Sequence, residues 1–181
     1  MLRPSERVGE RAVRPRRLLL LLLRRRVLLN DRMGERWVVF VCVENACRSL
    51  MAEAAFNANA PDGWRATSAG TRPAEAANPR TGPMLAEVGL ELPRHRPTVL
   101  TPALLERAGI AVSMGCLDEA SCPAYLSGPT LRDWELEDPG RLDDDGFRRV
   151  RDQVIERVRS LRLELKLAER RGGAGAPAPA P

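Results

Sequence analysis

From residue 37 onward the apolar positions of this chain switch repeatedly between two periods. Trp37–Val41 (WVVFV) is an unbroken β-branched and aromatic run of strand length, read as the first strand. A helix opens near Ser49 and reaches about Asn59, and Ala66–Gly70 (ATSAG) reads as a second strand with its turn. Another helix follows Asn78-Pro79, its first turn weakened by Gly82 and Pro83. Thr101-Pro102 supplies an N-cap and first-turn pair for a helix through Ala108, which Gly109 stops. Ile110–Met114 (IAVSM) is the third strand, and a fourth short one is expected around Trp134–Leu136. The acidic run Asp143–Asp145 reads as a solvated helix start. Phe147, Val150, Val154, Val158, Leu161 and Leu165 then form one apolar stripe at helical spacing. There is no internal repeat.

Alternating strands and helices imply an α/β fold, here a four-stranded parallel sheet with helices on both faces. In such sheets the ligand lies beyond the carboxyl ends of the strands, at the point where strand order reverses. If the order is 2-1-3-4, strands one and three flank that point. Cys42 leaves the first strand there and Cys116 leaves the third, so topology alone would bring them together.

Composition changes this picture only at the ends. The 181 residues suffice for one domain with a real core. The net charge is +5, but residues 1–32 hold ten arginines against three acids, a net of +7, which leaves −2 for the rest. The basicity therefore does not argue for nucleic acid as a partner. Within the leader, PRRLLLLLLRRRVLL is too short to span a membrane and lacks a secretory cleavage site. Residues 1–33 are accordingly set outside the fold, either as upstream sequence before a start at Met33 or as a short membrane-surface helix. Residues 34–170 form the domain, and 171–181, ending in GGAGAPAPAP, read as a disordered tail. With no export signal the expected compartment is the cytoplasm, where cysteines argue for redox or metal chemistry over structural disulfides.

The candidate chemistry begins where the first strand ends. Cys42 is followed by Val43, Glu44, Asn45, Ala46 and Cys47, then by Arg48 and Ser49. A strand, a tight loop and a helix start aim backbone N–H groups and the positive end of a helix dipole at one small volume, which suits a tetrahedral oxyanion. Arg48 adds a planar fork. Cys42 in the same positive field becomes a candidate nucleophile, although a buried strand cysteine beside a capping serine is the plainer reading. Cys116 and Cys122 sit among Gly, Ser and Pro in SMGCLDEASCPAYLSG, a loop setting that favours redox chemistry over core packing. A four-cysteine zinc site is the rival, but spacings of four and five intervening residues fit it poorly. Asp138, followed by Pro139-Gly140, is either a mobile acid on the site's rim or a surface turn residue. His95 is the lone histidine, expected to be structural or exposed.

The run VVFVCVENACRSLMAEAAF resembles the anion loop of low-molecular-weight protein tyrosine phosphatases and of the arsenate reductases that share their fold. The SAG, NP, SMGC…CP and DWELEDPG segments resemble the thioredoxin-coupled arsenate reductases in particular, over about Arg36 to Leu165. The resemblance implies that residues 43–49 cradle arsenate, that Cys42 attacks it, and that Asp138 protonates the departing oxygen. Cys116 would then attack Cys42, releasing arsenite, and Cys122 would carry the disulfide outward to thioredoxin. Ser49 would hydrogen-bond the Cys42 thiolate, Asn45 would hold the loop's turn, and Cys47 would only pack. It implies no bound cofactor and no metal, arsenate and thioredoxin as partners, neither nucleic acid nor membrane, and a monomer. Asn45, Glu53 and Ser68 match a potassium site of some relatives, but Thr98 stands where a carboxylate is expected, so no such site is assigned. A phosphatase for phosphotyrosine is the alternative, disfavoured because Gly140 and Arg141 follow Asp138-Pro139 where aromatic residues would grip a tyrosine ring. A redox or anion sensor is a third.

Overall fold

The computed structural model describes residues 35–115 and 131–173, with side chains through residue 170. The leader, Cys116, Cys122 and the last eight residues lie outside the described residues. The elements are β1 (Arg36–Cys42), α1 (Arg48–Asn57), β2 (Trp64–Gly70), α2 (Thr81–Ala86), α3 (Pro102–Arg107), β3 (Ala108–Ser113), β4 (Leu131–Asp133) and α4 (Asp144–Gly173), with a 3₁₀ turn at Pro139–Arg141 before α4. The four strands are parallel in the expected order, β2-β1-β3-β4.

Alternation along β1 divides the core in two. Val38, Phe40 and Cys42 face a large cluster with Met51, Ala55 and Phe56 of α1 and the whole stripe of α4. Val39 and Val41 face a smaller one with Ala69, Leu100 and Ala111, against which Leu104 and Leu105 of α3 pack. Helices thus cover both faces, and β1, paired on both sides, is fully buried from Val38 to Val41. α1 lies between the sheet and α4, which is why every residue from Arg48 to Phe56 is buried.

Several boundaries move from those read in the sequence. β1 keeps its ladder through Cys42, which pairs with Gly70, so the cysteine closes the strand rather than following it. α1 starts at Arg48, and Ser49 does not cap it: the N-cap is Cys47, with no side-chain cap. Thr101 does cap α3, accepting from Leu104 N–H at 3.2 Å. The fourth strand is Leu131–Asp133, not Trp134–Leu136. Its ladder to β3 ends at Ser113↔Asp133, and the backbone then passes through Glu135 with φ +44°. Trp134 and Leu136 are buried all the same, from an irregular segment that still donates Trp134 N–H to Ser113 O and Leu136 N–H to Met114 O. α4 runs past residue 170 to Gly173, and Asp143 accepts from Gly146 N–H at its start.

Candidate active site

The loop after β1 is held from outside. The carbonyls of Cys42, Val43 and Glu44 accept from the N–H groups of Thr71, Arg72 and Ala74, and Ala46 O accepts from Asn78 N–H. Thr81 Oγ1 adds a second donor to Ala46 O at 2.9 Å. In a planar trans peptide N–H points opposite C=O, so outward carbonyls turn the N–H groups of residues 43, 44, 45 and 47 toward the concave side. Asn45 N–H is seen there directly, donating to Cys42 Sγ at 3.1 Å. The loop also lies close over β2: a Cβ on Gly70 would meet Val43 O at 2.6 Å and Asn45 N at 2.9 Å.

Asn45 takes φ +51°, a left-handed turn that Asn tolerates better than most residues. Its side chain is fully committed. Oδ1 accepts from Thr98 N–H at 2.8 Å, which fixes the amide's orientation because a backbone N–H can only donate. Nδ2 then donates to Ser49 Oγ and Ser68 Oγ, each at 2.8 Å. Ser49 Oγ, already accepting from Asn45, lies 3.0 Å from Cys42 Sγ and is free to donate its proton there, an arrangement that suits a thiolate. Ser68 donates to Glu53 Oε2 at 2.6 Å. Glu53 is met in turn by His95 Nε2 at 2.9 Å, and His95 Nδ1 lies 2.9 Å from Arg96 O. Both ring nitrogens face acceptors, the pattern of an imidazolium. Burial pulls the His95 pKa down, but the bonds to Arg96 O and Glu53 outweigh it and hold it above the ordinary value. His95 is thus structural, and it supplies the positive partner of Glu53.

Arg48 is buried, with both Nη1 protons spent on Met114 O (3.2 Å) and Leu136 O (2.7 Å) at the carboxyl ends of β3 and β4. Its Nε and Nη2 donors remain for a ligand, and Nη2 lies 3.8 Å from Asp138 Oδ2. Asp138 is half exposed and heads the 3₁₀ turn, accepting from Gly140 N–H at 3.0 Å. These groups bound a cavity of about 230 Å³ lined by Cys42, Val43, Glu44, Ala46, Cys47, Arg48, Arg72, Asp138 and Arg141. Burial pushes the Cys47 thiol up to about 11.

The structure therefore gathers Cys42, Val43, Glu44, Ala46, Cys47, Arg48 and Asp138 around one cavity, with Asn45 and Ser49 fully buried beside Cys42. Cys116 and Cys122 lie outside the described residues. Sequence reasoning missed Arg72 and Arg141, whose only signal was position: two residues after Gly70 and three after Asp138. Among the described residues no cluster of His, Cys, Asp or Glu could hold a metal ion, and no helix is long and apolar enough to cross a membrane.

A cavity with a thiol at its floor, arginines at three points and an acid at its mouth can bind a small oxyanion, attack it and protonate what leaves. The model of the low molecular weight phosphotyrosine protein phosphatase family matches residues 37–171. Arsenate reductase 1 of Staphylococcus epidermidis is 30% identical over 122 residues, 67% of this chain and 92% of that protein. The thioredoxin-dependent arsenate reductase of Corynebacterium glutamicum is similar in structure with a TM-score of 0.65 and 28% identity, over 78% of this chain and 69% of that one. An arsenate reductase of Archaeoglobus fulgidus superposes with a TM-score of 0.59 and 35% identity, over 68% of this chain and 97% of that one.

Proposed function

Since the chain belongs to the low molecular weight phosphotyrosine protein phosphatase family and is an enzyme, we propose that it reduces arsenate to arsenite, drawing electrons from thioredoxin. The observation that carries this reading is the lining of the cavity: Cys42, three arginines and Asp138 converge on about 230 Å³, with no aromatic ring among the described residues that line it. That space fits a tetrahedral anion, and no described side chain lining it is an aromatic that would grip a tyrosine ring.

Arsenate sits against the loop N–H groups and the free donors of Arg48. Cys42 Sγ attacks arsenic while Asp138 gives a proton to the departing oxygen, which leaves as water. Cys116 then attacks Cys42 Sγ. The S–As electron pair stays on arsenic, arsenite departs, and a Cys42–Cys116 disulfide remains. Cys122 attacks Cys116, freeing Cys42, and the Cys116–Cys122 disulfide passes to thioredoxin, whose dithiol supplies the two electrons. Each step is a thiolate displacement, so no bound cofactor is required.

The test is NADPH oxidation through thioredoxin reductase and thioredoxin in the presence of arsenate, run beside Cys116→Ser. Arsenate-dependent consumption lost in the variant supports the relay. If neither protein consumes NADPH but both hydrolyse an aryl phosphate, the enzyme is a phosphatase.

A further inference from the structure

The short segment Asn78–Thr81 touches both halves of the site. Asn78 N–H and Thr81 Oγ1 hold Ala46 O of the oxyanion loop, at 3.0 and 2.9 Å. Arg80, between them, reaches the other way, toward the turn that carries Asp138. Its Nη2 donates to Pro139 O at 3.2 Å and Gly140 O at 3.0 Å. Nη1 donates to Leu142 O at 2.8 Å and Asp144 Oδ1 at 3.3 Å. The guanidinium plane lies over the Phe147 ring, 4.9 Å from its centre. Four Nη protons thus meet four acceptors, a planar pattern that an ammonium group cannot reproduce.

Asp138 needs such a brace. It is half exposed, and among the described residues its contacts are Gly140 N–H and the distant Nη2 of Arg48. A general acid acts only within hydrogen-bond reach of the leaving oxygen, and nothing in the Asp138 side chain's own packing secures that distance. The carbonyls immediately after it are the ones Arg80 grips.

We infer that Arg80 is the positioning residue of the acid: it grips the turn that carries Asp138 from a segment whose neighbours Asn78 and Thr81 hold the loop over Cys42, and so sets the distance between Asp138 and an anion bound there. This rests on the reading of Asp138 as general acid given above. It predicts an effect on the chemical step and not on anion capture, because Arg80 does not line the cavity.

The experiment is a double-mutant cycle on arsenate-dependent NADPH oxidation with Arg80→Gln, Asp138→Asn and the double variant, with Arg80→Lys alongside. General acids contribute ~10²–10⁴-fold, so Arg80→Gln should lower kcat roughly tenfold while the KM for arsenate stays within about twofold. Arg80→Lys, which keeps the charge and loses the fork, should also fall and so separates geometry from charge. In the Asp138→Asn background, Arg80→Gln should cost nothing further. An equal loss in both backgrounds, or a raised KM with kcat unchanged, overturns the inference and leaves the acid in place. A silent Asp138→Asn overturns the acid and this inference together. Should the wild type turn over only an aryl phosphate, the same cycle on that substrate decides the matter, since both chemistries use the acid.

Discussion

Replacing Gly70 by alanine tests how rigidly the oxyanion loop is seated. Gly70 has an ordinary backbone conformation and needs no glycine for its dihedrals; what forbids a side chain is space. The added methyl would lie 2.6 Å from Val43 O and 2.9 Å from Asn45 N, where ordinary contact begins near 3.4 Å. One of them must retreat by roughly 0.8 Å. Gly70 itself is held by Thr98 O and Leu100 N–H, both at 2.8 Å, so the loop must give. Overpacking of this kind costs about 1–3 kcal/mol, a fall in Tm of roughly 2–12 °C for a chain of this size. Misplacement by about 1 Å near the reacting atoms can cost ~10²-fold, so turnover should drop tenfold or more. The assay pairs turnover with thermal melts with and without sulfate: the wild type should gain stability from the anion, and Gly70→Ala should gain little. Gly89→Ala is the control. Gly89 has φ +73° with nothing within 4 Å of a Cβ, so it should lose ~1–2 kcal/mol of stability and no activity. A Gly70→Ala protein melting within about 1 °C of the wild type and turning over within twofold would refute a rigidly seated loop.

Two other outcomes follow from the charges. The His95 pKa is raised in the folded state, so its pairing stabilises fully below the ordinary 6.5 and the benefit fades as pH rises through the folded value. The gap in urea midpoint between wild type and His95→Gln should therefore be wide at pH 5.5 and narrow at pH 9; an equal gap at both would count against the pairing. Arg72 and Arg141 line the cavity mouth, so removing either should raise the KM for arsenate severalfold at low salt. The difference should close near 0.5 M salt, where screening is strong, and an unchanged KM at low salt would remove them from anion capture.

A parallel sheet with helices on both faces was legible because it follows from strand–helix alternation and the handedness of crossovers. The order 2-1-3-4 entered as a condition, since those rules allow other orders, and the structure has it. β4 was misplaced because Trp134 and Leu136 alternate as a strand would. Hydrophobicity reports that a residue is buried, not which ladder it joins, and the edge strand is defined by its pairing to β3. The turn at Glu135 exists because Gly115, with φ +69°, lets the two chain segments close: a Cβ there would lie 2.3 Å from Glu135 Cα. At the site, Cys42, Arg48 and Ser49 were legible since strand, loop and helix are contiguous. The grouping of Asn45, Glu53 and Ser68 entered only through the resemblance, and His95 as the residue that completes it was not legible, because it comes from a separate segment far along the chain. Arg72 and Arg141 were missed as site residues for another reason: in a chain with one lysine and 28 arginines, an arginine outside a motif carries no signal.

The fixed orientation of the Asn45 amide has a consequence for proton traffic. A chain of polar groups from Cys42 through Ser49, Asn45 and Ser68 to Glu53 looks like a wire along which the thiol proton could travel to the Glu53–His95 pair. The amide interrupts it. Asn45 Nδ2 donates in both directions and has no lone pair to receive a proton, and Thr98 N–H prevents the group from turning over. The chain can hold hydroxyl protons in place, yet it conducts none. Whatever protons Cys42 Sγ exchanges, the Glu53–His95 pair does not take them up along this chain, and the two ends of the linkage are electrostatic neighbours without being proton partners.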